Sequence, residues 1–147
     1  MTESFVETQV RLLLERQCSD VFFALLRRLE AVQDAEITLV VFDFGGGNVA
    51  FKTMLNRDEI VTAFEILLDH WLGGGRSRQP VPGVDAELLK LLGDQAKRLL
   101  PAGIGFILLL GSGDRTAYIS TAERSDVVRM VETELLPMWR GEARGAN

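Results

Sequence analysis

The chain has 147 residues, of which 47% are hydrophobic and 25% charged, with a formal net charge of −5. This is the size and composition of one ordinary globular domain, and it excludes wholesale disorder. A single cysteine and a single histidine exclude an internal disulfide, a Cys-rich zinc site and a His-based metal cluster, so no metal and no other cofactor is expected.

Residues 4–33 predict one long helix. Val6, Val10, Leu13, Leu14, Cys18, Val21, Phe22, Leu25, Leu26 and Leu29 form an i, i+3, i+4 stripe with no Gly or Pro in it. Such a helix either wraps the edge of the domain or reaches out to a partner, and a break at Ser19-Asp20, two good N-cap types, is the alternative. Residues 36–44 are rich in β-branched and aromatic types and predict a strand. Gly45-Gly46-Gly47-Asn48 turns it, and Val49–Thr53 returns. Asn56-Arg57-Asp58-Glu59 has the form of a capping box that opens a helix carrying Ile60, Phe64, Leu67, Leu68 and Trp71. Residues 73–83, rich in Gly and Pro, read as a linker.

The order then repeats. A helical stretch begins at Asp85 with Leu88, Leu89, Leu91 and Leu92, and residues 103–110 form a nearly all-apolar strand. Gly111-Ser112-Gly113-Asp114 reads as its turn and Arg115–Ser120 as its return. Ser120-Thr121-Ala122-Glu123 reads as a second capping box. The following helix carries Val127, Val128, Val131 and Leu135, with Trp139 a further candidate past Pro137, which is expected to end or kink it near Leu136. A shift of 67 residues lays Ala50–Glu65 on Ala117–Glu132 with four identities in sixteen positions: Ala50/Ala117, Arg57/Arg124, Val61/Val128 and Glu65/Glu132. Chance gives about one at ordinary residue frequencies.

A lone hairpin is marginal in water. The expected fold is therefore α+β: two tandem α-β-β-α modules, residues 1–72 and 84–147 joined by 73–83. They form one four-stranded antiparallel sheet packed by helices, with a single shared core and a long N-terminal helix. The first module holds twelve acids and six bases, whereas residues 73–147 hold nine acids and ten bases. An acidic chain without a long Lys/Arg stripe is a poor candidate for general nucleic-acid binding. The longest apolar or Gly stretch, 102–111, falls short of the roughly 18 residues of a membrane span. With no basic segment ahead of an apolar run at the N-terminus and a lone thiol, a cytoplasmic location is expected.

No motif for catalysis survives inspection. Asp43-Phe44-Gly45 spells the kinase metal-binding triplet, but the glycine-rich ATP loop, the strand lysine and the His-Arg-Asp loop are missing. His70 and Asp69 are adjacent on a helix and point about 100° apart, a poor geometry for a catalytic pair. Cys18 falls on the apolar stripe, where a thiol is buried and inert. An enzymatic role is therefore not favoured, and no catalytic residue is assigned. The most distinctive stretch, residues 117–126, places Tyr118, Ser120, Thr121, Arg124 and Asp126 at a strand-to-helix junction, with Thr53 and Arg57 at the matching junction of the first module. A helix N-terminus with a nearby guanidinium suits a small anion or nucleotide. The alternative is that these polar groups only cap and pair.

Gly113, Ala117, Tyr118, Ile119, Ser120, Ala122, Arg124 and Asp126 form a glycine-rich turn and an Ala-Tyr-Ile-Ser-x-Ala-x-Arg-x-Asp segment. The segment resembles a group of small phage and prophage proteins. The first module keeps only Ala50 and Arg57 of that pattern. The resemblance implies a phage origin and host-cytoplasmic action, and it brings no activity with it. The expected function is that of a non-enzymatic binding protein. It would engage a protein partner, or a second copy in a homodimer, through the N-terminal helix or the hairpin tips.

Overall fold

The computed structural model describes residues 5–29, 36–43, 47–73, 81–112 and 115–141. Helix α1 (Phe5–Arg28) leads into β1 (Ile37–Asp43) and β2 (Val49–Thr53), and α2 (Arg57–Trp71) closes the first module. The second has α3 (Ala86–Leu99), β3 (Ile104–Ser112), β4 (Arg115–Ser120), then α4 (Arg124–Met130), a π-helical turn Val131–Leu135 and α5 (Leu136–Arg140). The four strands form one antiparallel sheet in the order β2-β1-β3-β4. This is the α+β fold that the sequence predicts.

Helices cover both faces. Strand residues alternate between them, as the two-residue period of a pleated strand requires. Ile37, Leu39, Val41, Phe106, Leu108 and Leu110 meet α1 and α3, through Leu25, Leu29, Leu92 and Ala96 among others. Val40, Phe42, Ile107 and Leu109 meet α2 and the α4–α5 stretch, through Phe64, Leu67, Val131 and Leu135. Both inner strands are thus buried on both sides, which is why β1 and β3 read as almost continuous apolar runs.

The β1–β3 register is symmetric about its centre, Ile37 pairing with Leu110 and Asp43 with Ile104. In the central β1–β3 register, Val40 faces Ile107, and these residues are themselves 67 apart. Leu25 and Leu92 are fully buried on one face, and Val40 and Ile107 on the other. Cys18 corresponds to Asp85, the N-cap of α3, whose carboxylate accepts from the Leu88 amide at 2.8 Å. Helix α3 therefore has no counterpart of the first turns of α1.

Several expectations need correction. The first helix passes through Ser19-Asp20 without a break and ends at Arg28, with residues 30–33 outside the described residues. Gly111 and Ser112 belong to β3, paired with Thr116 and Arg115. Gly111 is required there: its φ is +97°, and a Cβ would lie 2.0 Å from the Arg115 carbonyl oxygen. Of the expected linker, residues 74–80 lie outside the described residues and Val81 is buried.

The capping box expected at Ser120 does not form. Helix α4 starts one turn later, with Glu123 at the N-cap and no side-chain hydrogen bond to it. Pro137 does not end the helix. The π turn ahead of it bonds the Leu136 amide to the Val131 carbonyl, five residues back, and Pro137 then occupies the first turn of α5, where its missing N–H is tolerated.

Candidate functional site

The strand-to-helix junctions are built alike. After β2, the Thr53 hydroxyl accepts from the Leu55 amide at 3.0 Å. After β4, the Ser120 hydroxyl accepts from the Ala122 amide at 3.1 Å. These are the same side-chain turn 67 residues apart, a habit of Ser and Thr at chain reversals. Each turn delivers an arginine to the first position of a helix, Arg57 on α2 and Arg124 on α4, and both side chains are exposed.

Beside each junction lies a cavity. One, of about 330 Å³, is lined by Phe51, Thr53, Leu55, Arg57, Ile60, Met138 and Trp139. The other, of about 210 Å³, is lined by Tyr118, Ser120, Ala122, Arg124, Val127 and Trp71. Phe51, Thr53, Leu55, Arg57 and Ile60 of the first correspond, at +67, to Tyr118, Ser120, Ala122, Arg124 and Val127 of the second. The tryptophans are exchanged between modules. Trp71 ends α2 and packs edge-on against Tyr118 of the second module, ring centroids 5.1 Å apart. Trp139 lies on α5 and packs edge-on against Phe51 of the first, at 5.3 Å. Neither module makes a complete cavity alone.

The exchange depends on the π turn. At a strict spacing of 67, Trp71 would correspond to Met138. A π turn holds one residue more than an α turn. Beyond it the correspondence becomes 68, which aligns Leu67 with Leu135, Leu68 with Leu136 and Trp71 with Trp139. Leu67 and Leu135 are both fully buried, and both tryptophans are at least nine-tenths buried. The indole Nε1 of each is shielded from water and has no hydrogen-bond partner among the described residues. A buried donor left unpaired costs about 1–3 kcal/mol.

The residues singled out in the sequence divide among several places. Tyr118, Ser120 and Arg124 meet in the smaller cavity, where Arg124 donates to the Tyr118 hydroxyl at 3.0 Å. Thr53 and Arg57 meet in the larger one. The Thr53 hydroxyl also shares a 2.6 Å hydrogen bond with that of Thr38. Thr121 is elsewhere: its hydroxyl accepts from the Phe106 amide at 2.9 Å and closes the end of β3. Asp126 faces an adjacent cleft with Asp43 and Glu134, where it accepts from Arg129 at 3.1 Å. His70 is exposed at the end of α2. Sequence reading missed the tryptophans and Phe51. The available signal was that the only two tryptophans stand 68 residues apart, one more than the spacing of the modules.

The second unusual surface is the start of α1. Its later turns bury Cys18, Val21, Phe22 and Leu25 against the sheet, but Phe5 is 78% exposed, Val6 68% and Leu13 52%, with Val10 and Leu12 also open. Cys18 itself is buried, its thiol directed at the Leu39 carbonyl oxygen 3.6 Å away. Burial pushes that thiol up to about 12, slightly offset by the positive charge of Lys52. Among the described residues no helix is long and apolar enough to cross a membrane. No family model, curated protein or solved structure matches this chain.

Proposed function

We propose that this chain is a non-enzymatic binding protein that engages a protein partner through the N-terminal turns of α1. The observation that carries the reading is the exposure of Phe5, Val6, Val10, Leu12 and Leu13 on a stretch of helix with no counterpart in α3. Contiguous apolar surface on a small domain marks an interaction site. An amphipathic helix laid in a groove, or paired with a second copy of itself, is the recognition mode that fits. The four identities between residues 50–65 and 117–132, with their equivalent places in the fold, support an origin of the modules by duplication. The resemblance of residues 113–126 to phage and prophage proteins supports a phage origin and action in the host cytoplasm.

The rival reading, a small-anion or nucleotide binder using the helix N-termini, is weakened at α2. There Asn56 Oδ1 takes the Glu59 amide at 2.8 Å, and Glu59 takes the Asn56 amide at 2.9 Å. What still favours an anion is the arginine at each cavity mouth.

Site-specific photo-crosslinking in cells tests the partner reading. A photoreactive residue at the exposed Leu12 is expected to capture a protein, either a second copy or another chain. The same residue at Lys90, an exposed position on α3, is expected to capture none. Equal or absent capture at both positions counts against the reading.

A further inference from the structure

The two cavities carry an inference independent of α1. Each has an apolar floor from an aromatic strand residue and an aliphatic helix residue: Phe51 with Ile60 in one, Tyr118 with Val127 in the other. Each is walled by a tryptophan lent by the opposite module. Among the described residues, the only formally charged lining residue of each is an arginine at the first position of the adjoining helix.

Packing accounts for keeping the apolar residues alike in the two modules. It does not account for the exposed Arg57, which makes no ion pair among the described residues, whereas Arg124 donates to the Tyr118 hydroxyl. The π turn absorbs the one extra residue of the second module and so keeps Trp139 against Phe51, as Trp71 lies against Tyr118. π turns of this kind recur at functional sites. The indole N–H donors of both tryptophans are shielded from water, so the polar partner offered to a ligand is the arginine.

We propose that the cavities are two equivalent sites for a small organic carboxylate with an apolar body, an aryl or medium-chain alkyl acid. The apolar body lies against the aromatic pair and the carboxylate meets the guanidinium, the charge-assisted geometry that arginine provides. The volumes, about 210 and 330 Å³, lie at or below the small end of ligand pockets. They suit a single ring with a short acid arm, not a nucleotide. The chain carries a net charge of −5, so a single anionic group directed at one arginine is better tolerated than a multiply charged phosphate chain.

Because Trp71 and Trp139 are the only tryptophans, the two indole N–H signals in a proton–nitrogen NMR spectrum report one cavity each, assigned with Trp71→Phe and Trp139→Phe. Titration of the intact chain with phenylacetate is expected to move both signals in a saturable way. Arg57→Ala is expected to weaken the response of Trp139 about tenfold and leave that of Trp71 unchanged, and Arg124→Ala the reverse. Neutral phenylacetamide is expected to bind about tenfold more weakly than the acid. Both arginines are exposed, so the variants are expected to fold, and the rest of the spectrum verifies it. Unmoved indole signals at millimolar phenylacetate overturn the proposal. So does equal binding of acid and amide, or a response indifferent to both arginine variants. Neither arginine lies on α1, so failure here leaves the partner reading standing, and the reverse also holds.

Discussion

Helix α2 starts on a closed capping box and runs fifteen residues without interruption. Its counterpart starts with no side-chain cap, widens into a π turn at Val131–Leu135 and continues through Pro137 to Arg140. Yet both deliver an arginine at the start and a buried tryptophan at the end, each to the same kind of place. Local devices differ where the surroundings allow, and the endpoints agree where the sheet and its cavities impose them. The pair on the other face differs more simply. Helix α3 begins at the Asp85 cap, whereas α1 passes through the equivalent Cys18 and extends beyond the sheet.

The largest expected effect tests whether the two halves form one cooperative unit. Phe64 is fully buried between the modules, beside Trp139 at 5.1 Å between ring centroids. Phe64→Ala is expected to cost about 3–5 kcal/mol in urea unfolding. Tryptophan fluorescence and circular dichroism are expected to report the same midpoint before and after the change. Two separate transitions would break the picture of a shared core.

Inserting one alanine after Thr133, exposed within the π turn, is expected to rotate Trp139 by about 100° away from Phe51, because the turn absorbs one extra residue and not two. Loss of that packing is expected to cost about 3 kcal/mol, read as a lower urea midpoint. The indole signal of Trp139 should move while that of Trp71 stays. Deleting Thr133 instead is expected to restore α geometry at the module spacing of 67 and to leave Trp139 against Phe51; a displaced indole would mean that the π turn does not absorb the extra residue.

The α1–α3 difference is sharpened by pH. The Cys18 thiol has its folded pKa raised from 9.0 to about 12 by burial. The unfolded chain therefore ionises first, and stability is complete below pH 9 and declines as pH rises towards 12. At pH 10 the loss is on the order of 1 kcal/mol. It is expected to be absent in Cys18→Ala, when each protein is compared with itself at pH 7. The same burial predicts that Cys18 resists thiol reagents until the chain unfolds.

The smallest expected effects compare the two helix starts directly. Asn56→Ala removes a reciprocal cap and is expected to cost about 1 kcal/mol. Glu123→Ala, at a position making no side-chain cap bond, is expected to change stability by less than about 0.5 kcal/mol. Equal losses would mean that the two starts are less different than their hydrogen bonds indicate.

Much of this architecture was legible because its causes are local. The apolar runs at 37–43 and 104–110 announce strands buried on both faces, and Asn56 with Glu59 announces a helix start. What escaped depends on tertiary context. Ser120 is as good a cap residue as Asn56, but its hydroxyl is used in the turn to Ala122, so the helix starts later. Pro137 breaks an α-helix in isolation, and only the preceding π turn makes it harmless. Gly111 resembles a turn residue, and the need for it is set by the carbonyl of the opposing strand. Part of the candidate site, Tyr118, Ser120, Arg124, Thr53 and Arg57, was visible as a polar junction. Its aromatic walls were not, because each comes from the other end of the chain and reaches its place only once the sheet is assembled.

The reciprocal loan of tryptophans has a consequence for how the chain could be divided. A cut between residues 74 and 80 would yield fragments that each own an arginine and a strand but have sent their indole across the seam. Such halves would behave as obligate complements, each unfinished until it met the other. Joined to two proteins of interest, they would signal an encounter by restoring the missing ring.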